Sequence, residues 1–169
     1  MPYSEFTLAS PDDLNARLTT RFLALSAAGR VRRSHFFAGR FENIYIERDD
    51  IPEIGPVLDN VLERAARWLQ RPVAQLQAGF WFNAMEAGHC TAPHHHDEND
   101  ELLSAVYYVR VPVHSGELIL YEGEQRIRVQ PCAGKLVMFA PAVMHEVSPH
   151  RGEGLRLSIG MNVGPVDDE

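Results

Sequence analysis

Three consecutive histidines, His94-His95-His96, stand directly before Asp97, and a further histidine, His145, follows about fifty residues later. Imidazoles and carboxylates are common metal ligands, and a group of them is costly to bury unless a cation binds it. Arg156-Leu157-Ser158 comes eleven residues after His145. The two features together predict a metal site with an anchor for an anionic cosubstrate beside it.

The histidine run allows more than one set of ligands. Residues i and i+2 of a strand point to the same side, so His94 and His96 can chelate one ion together, and His95 and Asp97 form an alternative pair. A third option combines His96 with Glu98. In each case His145 would supply the third ligand, and three protein ligands leave positions open for a cosubstrate and oxygen.

The predicted anchor for the cosubstrate is Arg156. The planar guanidinium of arginine binds a carboxylate through two hydrogen bonds at once, and Ser158 lies on the same strand face, where its hydroxyl can add a third. Asn83 is a further candidate from a neighbouring strand. One of two adjacent tyrosines, Tyr107 or Tyr108, is predicted to supply another hydroxyl.

The elements that must position these residues are mainly β-strands. Apolar spacing predicts one helix that begins near Ser10-Pro11 and ends at Gly29, and a second that begins at Glu53 or Pro56 and ends at Leu69. Short runs bounded by turn residues predict many strands, which is typical of a sandwich or barrel. The predicted strands are Phe41–Ile46, Leu76–Glu86, Leu102–Val111, Glu117–Tyr121, Arg126–Val129, Lys135–Phe139, His145–Val147 and Arg156–Asn162.

The chain of 169 residues is 45% hydrophobic and 23% charged, which suits one domain over residues 1–169. In this interpretation residues 1–72 form a mostly helical support region and residues 73–165 the β core. The net charge of -7 argues against nucleic acid or a membrane as partner, because both attract basic surfaces. A small molecule or a peptide is the expected substrate, and a homodimer formed through the N-terminal helices is possible.

Cysteine usage and the N-terminus bear on location. The chain has two cysteines and no CxxC motif, so a disulfide framework is not expected. Residues 1–5 show no basic segment followed by an apolar one, as a signal peptide would require. We therefore predict a cytoplasmic protein.

Several segments resemble the Fe(II)/2-oxoglutarate-dependent oxygenases, and the resemblance is closest to a group of small bacterial and phage members. These segments are Trp81-Phe82-Asn83 with Gly88 and Pro93-His94, Leu103–Val109, Gly134–Phe139 with His145-Glu146-Val147, and Arg156–Ile159 with Asn162. They cover about half of the chain, in the family's order.

The resemblance implies a mainly β fold with flanking N-terminal helices and a double-stranded β-helix (jelly-roll, cupin-like) core. It implies Fe(II) bound by the early histidines and His145, 2-oxoglutarate held by Arg156, and O2 as the oxidant, with hydroxylation of an unactivated C–H bond as the expected outcome. The ungapped match pairs His94 with His96, whereas the wider superfamily places a carboxylate at the second position, as in His95-x-Asp97.

Two other interpretations stay open. Gly88, His94, His96 and Glu101 fit the first sequence pattern of cupins, so a three-histidine cupin-type metalloenzyme is an alternative. That alternative leaves Arg156-Leu157-Ser158 without a role. The other interpretation is a non-catalytic metal-binding module.

Overall fold

The computed structural model describes residues 3–97 and 99–167, and within them the chain forms two α-helices and two β-sheets. The helices are α1 (Asp12–Ala27) and α2 (Gly55–Leu69). The strands are β1 (Tyr3–Thr7), β2 (Arg32–Phe37), β3 (Arg40–Tyr45), β4 (Leu76–Met85), β5 (Thr91–His94), β6 (Leu103–Arg110), β7 (Leu118–Glu122), β8 (Gln125–Val129), β9 (Lys135–Phe139), β10 (His145–Val147) and β11 (Arg156–Pro165).

The larger sheet has seven antiparallel strands in the order β1-β9-β6-β11-β4-β3-β2. Strand β11 lies at its centre and pairs with β4 over ten residues, from Arg156 opposite Met85 to Pro165 opposite Leu76. The apolar sides of α1 and α2 pack on one face of this sheet, because Phe22 and Val61 join Phe82 and Ile159 in one buried cluster. Burial of these side chains is the main force that attaches the helices.

The smaller sheet has four strands in the order β5-β10-β7-β8, and it faces the other side of the larger sheet. A second apolar cluster, which includes Tyr108, Leu120 and Phe139, lies between the two sheets. Apart from the hairpin of β7 and β8, strands β4 to β11 alternate between the sheets in the arrangement of an eight-stranded jelly roll. The predicted double-stranded β-helix core with flanking helices is therefore confirmed.

The first 72 residues contain more strand than the sequence pattern indicated. Besides α1 and α2 they supply β1, β2 and β3, which extend the large sheet at its two edges. Strand β1 pairs with β9, and β3 joins β4 through Ile44 opposite Phe82. None of the described helices has the length and apolar character needed to span a membrane.

Candidate metal and cosubstrate site

Three imidazoles meet between the two sheets at the β5 end of the smaller one. One nitrogen from each of His94, His96 and His145 lies within 4.8 Å of the others. His94 and His145 are direct partners across the β5–β10 pairing, so their side chains lie on the same face of the small sheet. Their ring centroids are 4.1 Å apart, and that of His96 is 4.9 and 5.0 Å from them.

Backbone carbonyls orient two of the rings. Nδ1 of His94 lies 2.8 Å from the carbonyl oxygen of Ala92, and Nδ1 of His145 lies 2.9 Å from that of Val143. A carbonyl oxygen can only accept a hydrogen bond, so each Nδ1 carries the proton and each Nε2 keeps a free lone pair. This is the arrangement that neighbouring groups commonly impose on histidine metal ligands.

The third ring is held differently. The backbone N–H of His96 donates to the carbonyl of Pro141 at 2.9 Å, which attaches this residue to the loop that leads into β10. The imidazole also lies against Trp81, with 5.6 Å between ring centroids. The indole in turn covers Gly160, where a Cβ atom would come within 2.4 Å of it.

The environment keeps two of these imidazoles neutral. Burial, followed by the nearby His94, lowers the pKa of His96 to about 4 and that of His145 to about 3. Only the neutral form of histidine has the lone pair that binds a metal ion. At neutral pH His96 and His145 therefore present uncharged nitrogen ligands, and imidazole donors suit Fe(II) as well as other divalent metals.

The alternative ligand pair does not join the cluster. His95 and Asp97 contact each other at the surface, where their side chains are 40% and 49% exposed. The reason is strand alternation, which turns position 95 away from the side shared by positions 94 and 96. Glu98, the remaining option, lies outside the described residues.

A buried arginine occupies the same cavity. Arg156 is only 1% exposed, and its guanidinium donates to the carbonyl of Gly116 at 3.1 Å and contacts the sulfur of Met85. Its Nε has no hydrogen-bond partner among the described residues, and burial lowers its pKa. A buried cation with incomplete hydrogen bonding favours the binding of an anion.

Other side chains of the cavity surround this cation with hydrogen-bond donors. Ser158 is buried on the same face of β11, and Asn83 lies opposite it on β4. The guanidinium of Arg156 lies 5.3 Å from the centre of the Tyr108 ring. The hydroxyl of Tyr108 is buried, without a hydrogen-bond partner in the part of the chain that the structure describes.

The assignment of Tyr107 to the cosubstrate site needs correction. Its hydroxyl donates to Oδ1 of Asn15 on α1 at 2.7 Å, so the side chain lies in the helix-facing core. Adjacent residues of a strand point to opposite faces, and β6 is buried on both. Tyr108 is therefore the tyrosine that lines the cavity.

Sequence reasoning missed three polar residues at this site. Thr91 and Glu42 line the cavity, and one carboxylate oxygen of Glu42 is buried with no partner among the described atoms. Arg40 is 8% exposed and donates to Asn83 and Thr91. No motif marks them, because each stands alone in its segment and reaches the site only through the pairing of β3 with β4 and of β5 with β10.

Comparison with known proteins gives one family match. A family model described as the 2OG-Fe(II) oxygenase superfamily matches residues 80–164, which are 85 of the 169 residues. No curated protein sequence matches the chain.

Solved structures with a similar fold cover nearly the whole chain. A prolyl-4-hydroxylase from Pseudomonas putida is 22% identical, with a TM-score of 0.77 over 98% of this chain and 94% of that one. A Trichoplax adhaerens prolyl hydroxylase, solved with a peptide of hypoxia inducible factor, is 14% identical, with a TM-score of 0.74 over 96% and 83%. The epimerase SnoN from nogalamycin biosynthesis is 17% identical, with a TM-score of 0.73 over 96% and 77%. At these identities the likeness establishes the fold.

Proposed function

The chain belongs to the 2OG-Fe(II) oxygenase superfamily, and on this premise we propose that His94, His96 and His145 hold the iron while Arg156 anchors 2-oxoglutarate. The protein is thus an Fe(II)- and 2-oxoglutarate-dependent oxygenase. When bound, iron and 2-oxoglutarate together activate O2 to oxidise the substrate. The side chains of the cavity bind and orient these groups, and we propose hydroxylation of an unactivated C–H bond as the outcome.

The three imidazoles fit a metal ion in number, protonation and orientation. Their nitrogens converge within 4.8 Å, and the backbone carbonyls of Ala92 and Val143 fix the tautomers of two of them. A facial set of three protein ligands leaves coordination positions free for the cosubstrate. Because an imidazole adds no charge when it binds a metal ion, the charge of the bound metal would be balanced by the cosubstrate itself, which is a dianion.

The observation that carries the proposal is the buried, incompletely bonded guanidinium of Arg156 in the cavity of the three histidines. A dicarboxylate that reached the metal with one end would present its other carboxylate to a cation deeper in the cavity. Arg156 offers that charge, and Ser158 and Tyr108 offer hydroxyl donors beside it. Asn83, opposite Ser158, is the further proposed contact.

The same observation separates this function from a three-histidine cupin-type enzyme. A metal site that bound only water and substrate would gain nothing from an uncompensated cation buried between the sheets, which costs free energy to desolvate. A non-catalytic metal module would gain nothing from it either. An anionic cosubstrate supplies the missing partner.

The direct experiment is anaerobic titration of the Fe(II)-loaded protein with 2-oxoglutarate. Chelation of the metal by the cosubstrate should produce a charge-transfer absorption band, and admission of O2 should release succinate. A protein that binds Fe(II) tightly but shows neither the band nor succinate would contradict the proposal and favour the cupin-type alternative.

We propose a small molecule or a peptide side chain as substrate. A second cavity borders the histidine cluster and is lined by the three consecutive histidines together with His35, Glu42 and Glu101. Its acidic groups favour a substrate that presents a hydrogen-bond donor or a positive charge.

Cys90 and Cys132 are both free thiols, which supports the predicted cytoplasmic location. The homodimer stays a prediction.

A further inference from the structure

A second arginine, Arg40, lies behind the cosubstrate side of the cavity. It begins β3, is 8% exposed, and makes four hydrogen bonds to β4 and to the segment that leads into β5. One terminal nitrogen donates to Oδ1 of Asn83 at 3.1 Å and to the carbonyl of Ala84 at 3.4 Å. The other donates to the carbonyl of Cys90 at 3.0 Å and to Oγ1 of Thr91 at 3.3 Å.

These bonds fix the orientation of the Asn83 amide. A guanidinium can only donate, so the atom that Arg40 contacts must be the amide oxygen rather than the amide nitrogen. The amide nitrogen is left as the donor on the other side of the group, and it lies 3.4 Å from Oγ1 of Thr91. Asn83 therefore keeps a second amide hydrogen to donate in the cavity that it lines.

The hydroxyl of Thr91 is likewise left with a hydrogen to donate. A hydroxyl oxygen has two lone pairs and one hydrogen, and Oγ1 of Thr91 already accepts from Arg40 and from Asn83. Its hydrogen must then be donated elsewhere, and Thr91 donates to no acceptor within the described residues. The residue is 5% exposed and lines the cavity, so water outside the protein cannot satisfy it.

Two buried cations thus stand on the same side of the site. Burial lowers the pKa of Arg40, the nearby carboxylate of Glu42 opposes this shift, and the charge of Arg156 makes a smaller contribution that lowers the pKa further. Neither has a carboxylate oxygen within 4.0 Å in residues 3–97 and 99–167. Ser158, two residues from Arg156 on β11, is paired with Asn83 on β4, and Arg40 contacts that asparagine. An anion bound among these donors would relieve both charges.

We propose that Arg40 is a positioning residue that makes Thr91 and Asn83 hydrogen-bond donors to 2-oxoglutarate. This inference rests on the proposed function, because it takes 2-oxoglutarate to be the anion in the cavity. Thr91 would contact the cosubstrate directly, whereas Arg40 acts through Thr91 and Asn83 without touching it.

The test is the affinity of the Mn(II)-loaded protein for 2-oxoglutarate, measured by calorimetry in the absence of turnover. Thr91→Val keeps the shape of the side chain and removes the hydroxyl, and it should weaken binding by about 10-fold or more, as expected for a hydrogen bond to a charged group. Thr91→Ser keeps the hydroxyl and should stay within about threefold of wild type. The affinity for Mn(II) alone should not change in either variant.

Coupling between the two residues tests the positioning role. Arg40→Lys keeps the charge but loses the fork that reaches both acceptors, so it should weaken 2-oxoglutarate binding as Thr91→Val does. In a Thr91→Val background Arg40→Lys should then cost less affinity than it does in the wild type, because the part of its effect that acts through the threonine is already lost. Losses that multiply in the double variant would overturn the positioning role, as would wild-type affinity in Arg40→Lys.

The outcomes distinguish this inference from the proposed function. If the wild-type protein binds Mn(II) but not 2-oxoglutarate, the proposed function fails and this inference fails with it. If the wild type binds 2-oxoglutarate and Thr91→Val binds it equally well, only this inference fails. The two threonine variants decide that point even if Arg40→Lys does not fold.

Discussion

Replacement of Arg156 by methionine should affect cosubstrate binding and protein stability in opposite directions. Methionine has a similar length and no charge, so it can occupy the buried position without leaving a large cavity. In the protein without cosubstrate the guanidinium is 1% exposed, its Nε is without a partner among the described residues, and one bond joins it to the carbonyl of Gly116. The variant therefore removes a charge that the surrounding protein groups satisfy poorly.

The size of each effect follows from this environment. Loss of one partner of a buried, charged hydrogen-bonded pair costs about 2–5 kcal/mol, which corresponds to a loss in 2-oxoglutarate affinity of about 30- to 4000-fold. The free energy of unfolding without cosubstrate should stay the same or rise by about 1–4 kcal/mol, because apolar replacement of buried ionic groups is often neutral or stabilising.

Calorimetry of the Mn(II)-loaded protein measures the affinity, and urea denaturation of the ligand-free protein measures the stability. Arg67→Met is the matched control, because Arg67 is exposed on α2, on the helical side of the large sheet. It should change neither quantity appreciably. An Arg156→Met protein that folds and binds 2-oxoglutarate like wild type would refute the assignment of the anchor.

Three further predictions concern the three histidines and the residues that pack beside them. His145→Ala should weaken Mn(II) binding by more than about 100-fold in calorimetry, since loss of a residue that only hydrogen-bonds to a metal ligand already costs about 10- to 100-fold. His95 is exposed, so the control variant His95→Ala should bind Mn(II) like the wild type. In the metal-free folded protein His96 and His145 take up protons only near pH 4 and 3, whereas histidines of the unfolded chain take them up near pH 6.5. The free energy of unfolding should therefore decrease as the pH is lowered from 6.5 to 4.5. Urea denaturation at a series of pH values checks this, and a flat profile would contradict it. Gly160→Ala should lower the free energy of unfolding by roughly 1–3 kcal/mol because its methyl group meets the indole ring that covers this residue, while Gly79→Ala on the neighbouring strand has open space and serves as control.

Most of the jelly roll could be predicted from the sequence because its strands are bounded by turn residues and enriched in β-branched and aromatic side chains. Strand β5 could not, since Thr91–His94 contains a proline and no apolar alternation, and its extended form depends on pairing with β10. Strand β1 is equally dependent on β9. Such segments adopt strand structure through their tertiary partners, which no local pattern records.

The site could be predicted in part for the same reason. The i, i+2 spacing puts His94 and His96 on one side, but only the register with β10 brings His145 opposite His94. Strand alternation places the side chains of Tyr107 and Tyr108 on opposite faces of β6. It does not tell which of them faces the cavity, because both faces of β6 are buried. Arg40 reaches the site only because β3 pairs with β4 and because β5, in the other sheet, brings Thr91 to the same place.

The register of β11 links the fold to the chemistry. Every second residue of its first half serves the cavity: Arg156 brings the charge, Ser158 a hydroxyl, and Gly160 the bare surface on which the Trp81 ring lies. The residues between them, Leu157 and Ile159, are buried against the helical layer. A slip of one residue would bury the guanidinium under α1 and α2 and turn leucine toward the three histidines, which is costly on both faces. The pairing that stabilises the core therefore also sets the distance between the proposed anchor and the three histidines.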